Sequence, residues 1–341
     1  MNENVASLVP RQSKVGFADK VAVLRALKLG DLLVAIPALR ALRGALPAAE
    51  IVLIGLPWAR ELVERFSHLL DGFHEFPGWP GLPERKPRID QIPSFLAAMQ
   101  AERFDLVIQM HGSGPFVNPL CKLLGARQTA GFYLSGSYCP DADRFLPWPE
   151  QGLELHRLLA LTEFLGCPAR GEHLEFPVHE TDFIAINRLG GPAGKFVCIH
   201  AGASIPERCW PAERFAAVAG ALAVGGLRVV LTGSASEKGL TRQIAATMDA
   251  TAIDLAGQTN LGEAAALIQR ARLLVCNDTG VSHIADAVGT PSVVISTGDN
   301  PARWAPQNSA RHRVLCQQDG LVSVADVIAH AFDAIHATQA S

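Results

Sequence analysis

Short runs of consecutive apolar residues alternate along this chain with longer stretches in which apolar residues recur every three or four positions. Residues 21–27, 50–55 and 105–110 are runs of the first kind, and each reads as a strand covered on both faces. Between the first two, a turn at Lys28-Leu29-Gly30-Asp31 leads into a helical stretch that reaches Leu46. Pro37 falls near the start of its regular part, where the missing N–H costs little. His111-Gly112-Ser113-Gly114-Pro115 punctuates the end of the third run and reads as a loop. From Gly166 to Gly194 the pattern is broken by Pro168, Pro177, Gly190, Gly191 and Pro192, with one short helical piece near residues 182–188. It then restarts: strands at 196–200, 228–232, 273–276 and 292–296, and helices at about 212–224, 237–248, 261–271 and 282–288. Asn260 and Glu263 have capping-box spacing, which supports the third of these helices. A last helix, about 322–337, closes the chain.

Strands alternating with helices in this way imply parallel sheets with helices on both faces. A chain of 341 residues exceeds one ordinary core, so two such domains are expected, residues 1–180 and 181–341. The closing helix has the freedom to pack back toward the first. Ligands of open parallel sheets bind at the carboxyl ends of strands, so the loops after residues 27, 110, 200, 232, 276 and 296 are where chemistry is expected.

Composition narrows the function. The apolar fraction of 49% and charged fraction of 18% exclude a disordered chain. The net charge of −3 is evenly spread, and neither half has the basic excess that a nucleic-acid partner requires. The small cluster Arg85-Lys86-Arg88 reads as a solvated loop. Seven cysteines form no CxxC and no metal-ligand spacing; several sit in apolar runs, as buried free thiols of a reducing cytoplasm do. No apolar run approaches the roughly 20 residues of a membrane span, and residues 1–18 lack the apolar centre of a signal peptide.

Within the expected loops, Asn277-Asp278-Thr279-Gly280-Val281-Ser282-His283 follows a strand and opens a helix. Gly280 allows close backbone approach, and the helix start favours a diphosphate; an ordinary helix cap explains the same residues equally well. His283 alone reads as a packed core histidine. His200-Ala201-Gly202-Ala203-Ser204 offers small residues to an approaching phosphate, Ser204 a hydroxyl, and Arg208 a charge for a leaving phosphate. Trp210 reads as a packing aromatic, with Pro211 at the first position of the next helix. Glu237 suits ribose hydroxyls, or simply a first helical turn. Asp31 suits a general base, or a helix cap. Asp141-Ala142-Asp143 matches the Asp-x-Asp of metal-dependent transferases, but it is short and lies in a proline-rich loop. No dinucleotide-binding fingerprint is present, which disfavours a dehydrogenase.

Taken together, residues 29–31 through 37–39, 200–204, 208–215, 232–237, 255–259, 277–283 and 289–291 resemble glycosyltransferase family 9, the ADP-heptose:lipopolysaccharide heptosyltransferases. The resemblance implies a GT-B fold: α/β, with two Rossmann-like doubly wound domains facing across a cleft. The C-terminal domain would hold the nucleotide diphosphate and the N-terminal domain a lipopolysaccharide-core or other glycan acceptor at the inner membrane surface. It implies an inverting, metal-independent cytoplasmic enzyme with no cofactor and no transmembrane segment, attached peripherally at most. By position, Asp31 resembles the family's base, and Ser204, Thr279 and Gly280 its diphosphate contacts, with Asp278 close by. Glu237 resembles the ribose contact and His283 the pocket wall, with Arg208 at the leaving phosphate. Gly30, His111 and Ser113 would lie on the acceptor side. Three departures stand out: Arg208 where the family has Lys, Ala201 where it has Pro, and Thr297-Gly298-Asp299-Asn300 where it often reads Phe-Gly-Pro-Thr. They bear on the choice of donor more than on the transferase class; the rival readings are a GT-B transferase or epimerase using a different nucleotide sugar, and a non-catalytic nucleotide-sugar-binding relative.

Overall fold

A computed structural model describes residues 14–16, 18–203, 205, 208–298, 300–317 and 320–337. The first sheet contains β1 (Lys20–Leu24), β2 (Glu50–Gly55), β3 (Gly72–Glu75), β4 (Leu106–Gln109), β5 (Gln128–Tyr133) and β6 (Phe145–Pro147) in the order β3-β2-β1-β4-β5-β6. The second contains β7 (Phe196–His200), β8 (Arg228–Leu231), β9 (Ala252–Asp254), β10 (Leu274–Asn277), β11 (Ser292–Ser296) and β12 (His312–Cys316) in the order β12-β11-β10-β7-β8-β9. Every pairing is parallel. Counted from its own first strand, each sheet runs 3-2-1-4-5-6, the doubly wound order. Each therefore has one point where the strand order reverses, between β1 and β4 and between β7 and β10.

The connecting helices in the first half are α1 (Leu29–Leu33), α2 (Ile36–Ala45), α3 (Ala59–Arg65), α4 (Ile92–Ala101), α5 (Val117–Leu123) and α6 (Glu154–Phe164). Those in the second are α7 (Glu180–Arg188), α8 (Ala212–Val224), α9 (Lys238–Thr247), α10 (Leu261–Arg270), α11 (Gly280–Ala287), α12 (Pro301–Trp304) and α13 (Val324–Ala337). Pro37 stands in the first turn of α2, and Asn260 caps α10 through the expected reciprocal bonds with Glu263, at 2.9 and 2.8 Å. Pro211 precedes α8 as its cap rather than opening it.

Two compact units emerge. One comprises the chain to Leu27, Ala35–Glu150 and Leu155–Glu172; the other comprises Lys28–Val34, Gln151–Glu154 and the chain from His173. The sequence placed its division at 180/181, and with it Gly30 and Asp31 in the N-terminal half. The segment carrying both residues instead clusters with the second unit. The helical stretch expected to reach Leu46 is in fact two helices, and only α2 belongs to the first unit.

The first unit's core joins Ala22, Leu24, Val52, Ile54 and Val107 of the sheet to Phe76 and Phe104. The second unit's core joins Val197, Ile199, Val229, Val275 and Ile295 to Phe215 and Trp210. The closing helix completes this second core. Val327, Ala331, Ala334 and Ile335 of α13 form one stripe at helical spacing, and all are buried in it. That stripe is used where it stands, not toward the first unit.

Candidate functional site

The carboxyl ends of β7, β8, β10 and β11 are tied to one another by side chains that the strands deliver there. Asn277, the last residue of β10, is wholly buried. Its Oδ1 accepts the backbone N–H of Trp210 at 2.9 Å, and its Nδ2 donates to the Ala201 carbonyl at 2.6 Å. One amide thus holds the loop after β7 and the entry to α8 against the end of β10. Trp210 is fixed from its other side: Nε1–H donates to the Val322 carbonyl at 3.3 Å, and the ring meets Phe215 edge-on at 5.2 Å.

Asp278 follows. Its N–H bonds to the Ile295 carbonyl at 3.0 Å, and its Oδ2 accepts the Ser296 hydroxyl at 3.3 Å. Thr279 is the extended N-cap of α11, and its carbonyl accepts both the N–H and the hydroxyl of Ser282, at 2.9 and 2.8 Å. The first N–H groups of an α-helix have no i−4 carbonyl inside the helix, and the positive end of the helix dipole adds to them. Across from β10, the Arg208 carbonyl accepts the Thr297 hydroxyl at 2.6 Å, and the Arg208 methylenes lie against Gly298. Arg208 is therefore anchored by its backbone to the loop after β11. Ser204, expected to face the same diphosphate, lies outside the described residues.

Glu237 ends a short 3-10 turn, and its Oε2 accepts the Ser234 N–H at 2.6 Å. A Cβ on Gly202 would stand 1.9 Å from Oε1. The space that Gly202 leaves is therefore filled by the Glu237 carboxylate, which joins the loop after β8 to the loop after β7. Beneath them the His200 Nδ1 meets the Thr232 hydroxyl at 3.1 Å; burial pushes this imidazole's pKa down, and Glu237 opposes the shift.

Gly30 and Asp31 reach this same corner. Asp31 lies in the first turn of α1, where its Oδ2 accepts the Lys28 N–H at 3.2 Å. The N-terminus of α1 is seated on that of α11 through two glycines. A Cβ on Gly30 would stand 2.7 Å from His283 Cδ2, and a Cβ on Gly280 would stand 3.0 Å from Leu29 Cβ. His283 is buried, which pushes its pKa down to about 4; Asp286 opposes the shift and His312 adds to it.

The sign of the resulting pH dependence follows. A histidine kept neutral in the fold costs nothing above its ordinary value of 6.5, but on acidification the unfolded chain takes up the proton first. Stability falls as pH drops from 6.5 toward 4, by roughly 3 kcal/mol for His283 if the whole range is crossed. His74 and His200 are shifted in the same direction. Urea unfolding midpoints should be flat between pH 7 and 8 and fall between 6.5 and 5, with a shallower fall for His283→Asn. An equal fall in that variant would remove His283 from the account.

In the first unit, His111 sits at the corresponding strand ends. Its Nδ1 accepts the Ala26 N–H at 3.1 Å, and its own N–H donates to Gln109 Oε1 at 2.9 Å. Accepting at Nδ1 places the ring proton on Nε2, which lies 3.4 Å from Glu84 Oε2 without forming a directed hydrogen bond to it. His111 holds the Glu84 carboxyl below its usual range, against the effect of burial. His111 thus binds the ends of β1 and β4 and the loop carrying Glu84 to one another. Ser113 stands in the half-exposed turn that follows. Arg25 is fully buried here and donates to the Met110 carbonyl. Sequence reasoning passed over it, although a cation inside an apolar run was the available signal. The Asp-x-Asp segment is occupied with its own turn: Asp141 accepts the Asp143 N–H and an Arg144 guanidinium N–H, both at 2.9 Å. Four cysteines, Cys121, Cys167, Cys198 and Cys276, are buried, and burial raises their pKa values, to about 12 at Cys121 and about 11 at Cys167.

The model of glycosyltransferase family 9 (heptosyltransferase) matches residues 92–323, over half of the chain. The chain belongs to that family. Among curated relatives, it is 29% identical over 157 residues to the lipopolysaccharide core heptosyltransferase OpsX of Haemophilus influenzae, covering 46% of this chain and 45% of that protein. It is 33% identical over 114 residues to lipopolysaccharide heptosyltransferase 2 of Escherichia coli, 32% of each chain. These matches span less than half the length of either relative. The likeness of fold extends further: the structure of the Escherichia coli ADP-heptose lipopolysaccharide heptosyltransferase II superposes with a TM-score of 0.77 over 94% of this chain and all of that one, at 21% identity. The architecture is accordingly GT-B. No helix among the described residues is long and apolar enough to cross a membrane.

Within this family 9 chain, Arg208, Glu237, Asp278, Thr279, Gly280 and His283 stand together in the second unit, and Gly30 and Asp31 stand with them. His111 and Ser113 stand in the first.

Proposed function

We propose that this chain transfers a heptose, or a related sugar, from an ADP-sugar to a lipopolysaccharide-core or similar glycan acceptor, with inversion and without a metal or resident cofactor. The seating of α1 on α11 supports this reading, because it brings the helical turn that carries Asp31 against a helix start suited to a diphosphate. In a single displacement, the acceptor hydroxyl gives its proton to Asp31 as its oxygen bonds to the donor's anomeric carbon, and the bond from that carbon to the diphosphate breaks. The charge that grows on the leaving diphosphate meets Arg208, Ser204 and the amides around Thr279 and Gly280. Glu237 takes the ribose hydroxyls, and Asp278 braces the loop beside them. Gly30, His111 and Ser113 belong to the acceptor's side. The enzyme works in the cytoplasm, attached peripherally to the inner membrane face where a lipid-linked acceptor is presented.

Family membership and the clustering of these residues at the strand ends support the reading. The test is incubation of the purified chain with ADP-heptose and a heptose-deficient core acceptor in excess EDTA, followed by mass spectrometry. The expected result is a product heavier by one heptose and an equal amount of ADP. ADP-heptose left intact, or converted without acceptor, would contradict it.

A further inference from the structure

The family resemblance makes His283 part of a nucleotide-pocket wall, but its observed neighbour is Gly30. The imidazole occupies the volume that any side chain at position 30 would need, with Cδ2 2.7 Å and Nε2 3.2 Å from the place of its Cβ. On the other side of the same contact, Gly280 leaves room for Leu29, whose Cβ, Cγ and Cδ2 lie 3.0–3.1 Å from the place of a Cβ there. Two short helix starts therefore interlock, each using a glycine to receive the other's side chain. α1 has only five residues, and the Asp31–Lys28 bond closes only its own first turn, so it has little local means of fixing its own orientation. His283 is itself well fixed, one turn into α11 and buried, with the Asp286–His312–Ser292 cluster beside it. In that cluster the His312 ring bonds the Ser292 hydroxyl at 2.9 Å and approaches Asp286 at 3.4 Å.

We propose that His283 is a positioning residue for the base: by packing on Gly30 it sets where α1 holds Asp31 relative to the donor side of the site. The inference rests on the reading of Asp31 as general base. It differs from a nucleotide-wall role because the ring acts through Gly30, and it makes the pair a matched set in volume. Losing the ring lets α1 settle inward; adding a methyl at position 30 pushes α1 outward. Either displacement misplaces the base, and an error of about 1 Å at a reacting group can cost on the order of 100-fold in rate.

The experiment is a double-mutant cycle on the full chain: Gly30→Ala, His283→Ala and both together, reading kcat, KM for the donor and the Kd for ADP. Each single change should lower kcat roughly 10- to 100-fold and leave the ADP Kd unchanged. The double variant, in which the new methyl enters the space left by the ring, should recover most of the lost kcat. His283→Asn serves in place of His283→Ala if the latter does not fold. Losses that multiply in the double variant overturn the proposal. So does an ADP Kd that weakens in step with kcat, which would return His283 to the nucleotide wall. Asp31→Asn separates the two levels: activity in that variant refutes the base itself, whereas an inert Asp31→Asn beside an additive pair refutes only the positioning role.

Discussion

Asp31→Asn should reduce sugar transfer by about 100- to 10,000-fold, the usual contribution of a general base, while ADP binds as tightly as before or more tightly. The substitution is a narrow one. Asn keeps a side-chain oxygen at the same position, so the bond from the Lys28 N–H can persist and α1 keeps its first turn. Only proton acceptance and charge are removed. A carboxylate beside a helix start that receives a diphosphate repels that diphosphate, so neutralising it cannot weaken nucleotide binding through charge. Steady-state rates and calorimetry on the same preparation separate the two effects. A variant that transfers at the wild-type rate would show that another group takes the proton. One that loses ADP affinity in proportion to rate would show that Asp31 belongs to donor binding.

The second large effect is on the fold. Asn277→Ala should destabilise the second unit by about 2 to 4 kcal/mol, because two buried backbone groups lose the amide that bonds them both. The Trp210 N–H and the Ala201 carbonyl both bond to this side chain, and no solvent replaces it at a fully buried position. The consequence extends past stability. Released from Asn277, the loops after β7 and before α8 lose their register with β10, and Arg208 and Glu237 lie on or against those loops. Urea unfolding at pH 7.5 measures the first effect, and ADP affinity measured well below the unfolding transition measures the second. An Asn277→Ala protein as stable as the wild type would mean that the two backbone groups find other partners.

The architecture was legible because buried parallel strands leave an unmistakable trace. β2, β7, β11 and α8 begin and end where the apolar pattern does, and the Asn260–Glu263 pair marks the start of α10. The polar residues after those strands were legible as a group for the same reason, since a strand's end is fixed once the strand is. What was not legible is who touches whom. Nothing in the order of residues says that Asn277 spends both ends of its amide on backbone, or that the Glu237 carboxylate fills the space beside Gly202. The placement of residues 28–34 was misjudged for a related reason. Sequence distance put Asp31 with the first half, but the contacts that recruit its helix set a side chain of one helix against a glycine of the other, and a glycine's significance there is the absence of a side chain. Arg25 and the Glu84–His111 pair were obscure because their partners lie more than 25 residues away along the chain.

The most direct test of the donor site at the ends of β7, β8, β10 and β11 is calorimetric titration of the wild-type chain with ADP, UDP and GDP under one set of conditions. The account predicts measurable binding of ADP and a clear preference for it over the other two. A preference for UDP or GDP would contradict the ADP-sugar assignment, and the absence of binding by all three would contradict a nucleotide-sugar site at these strand ends.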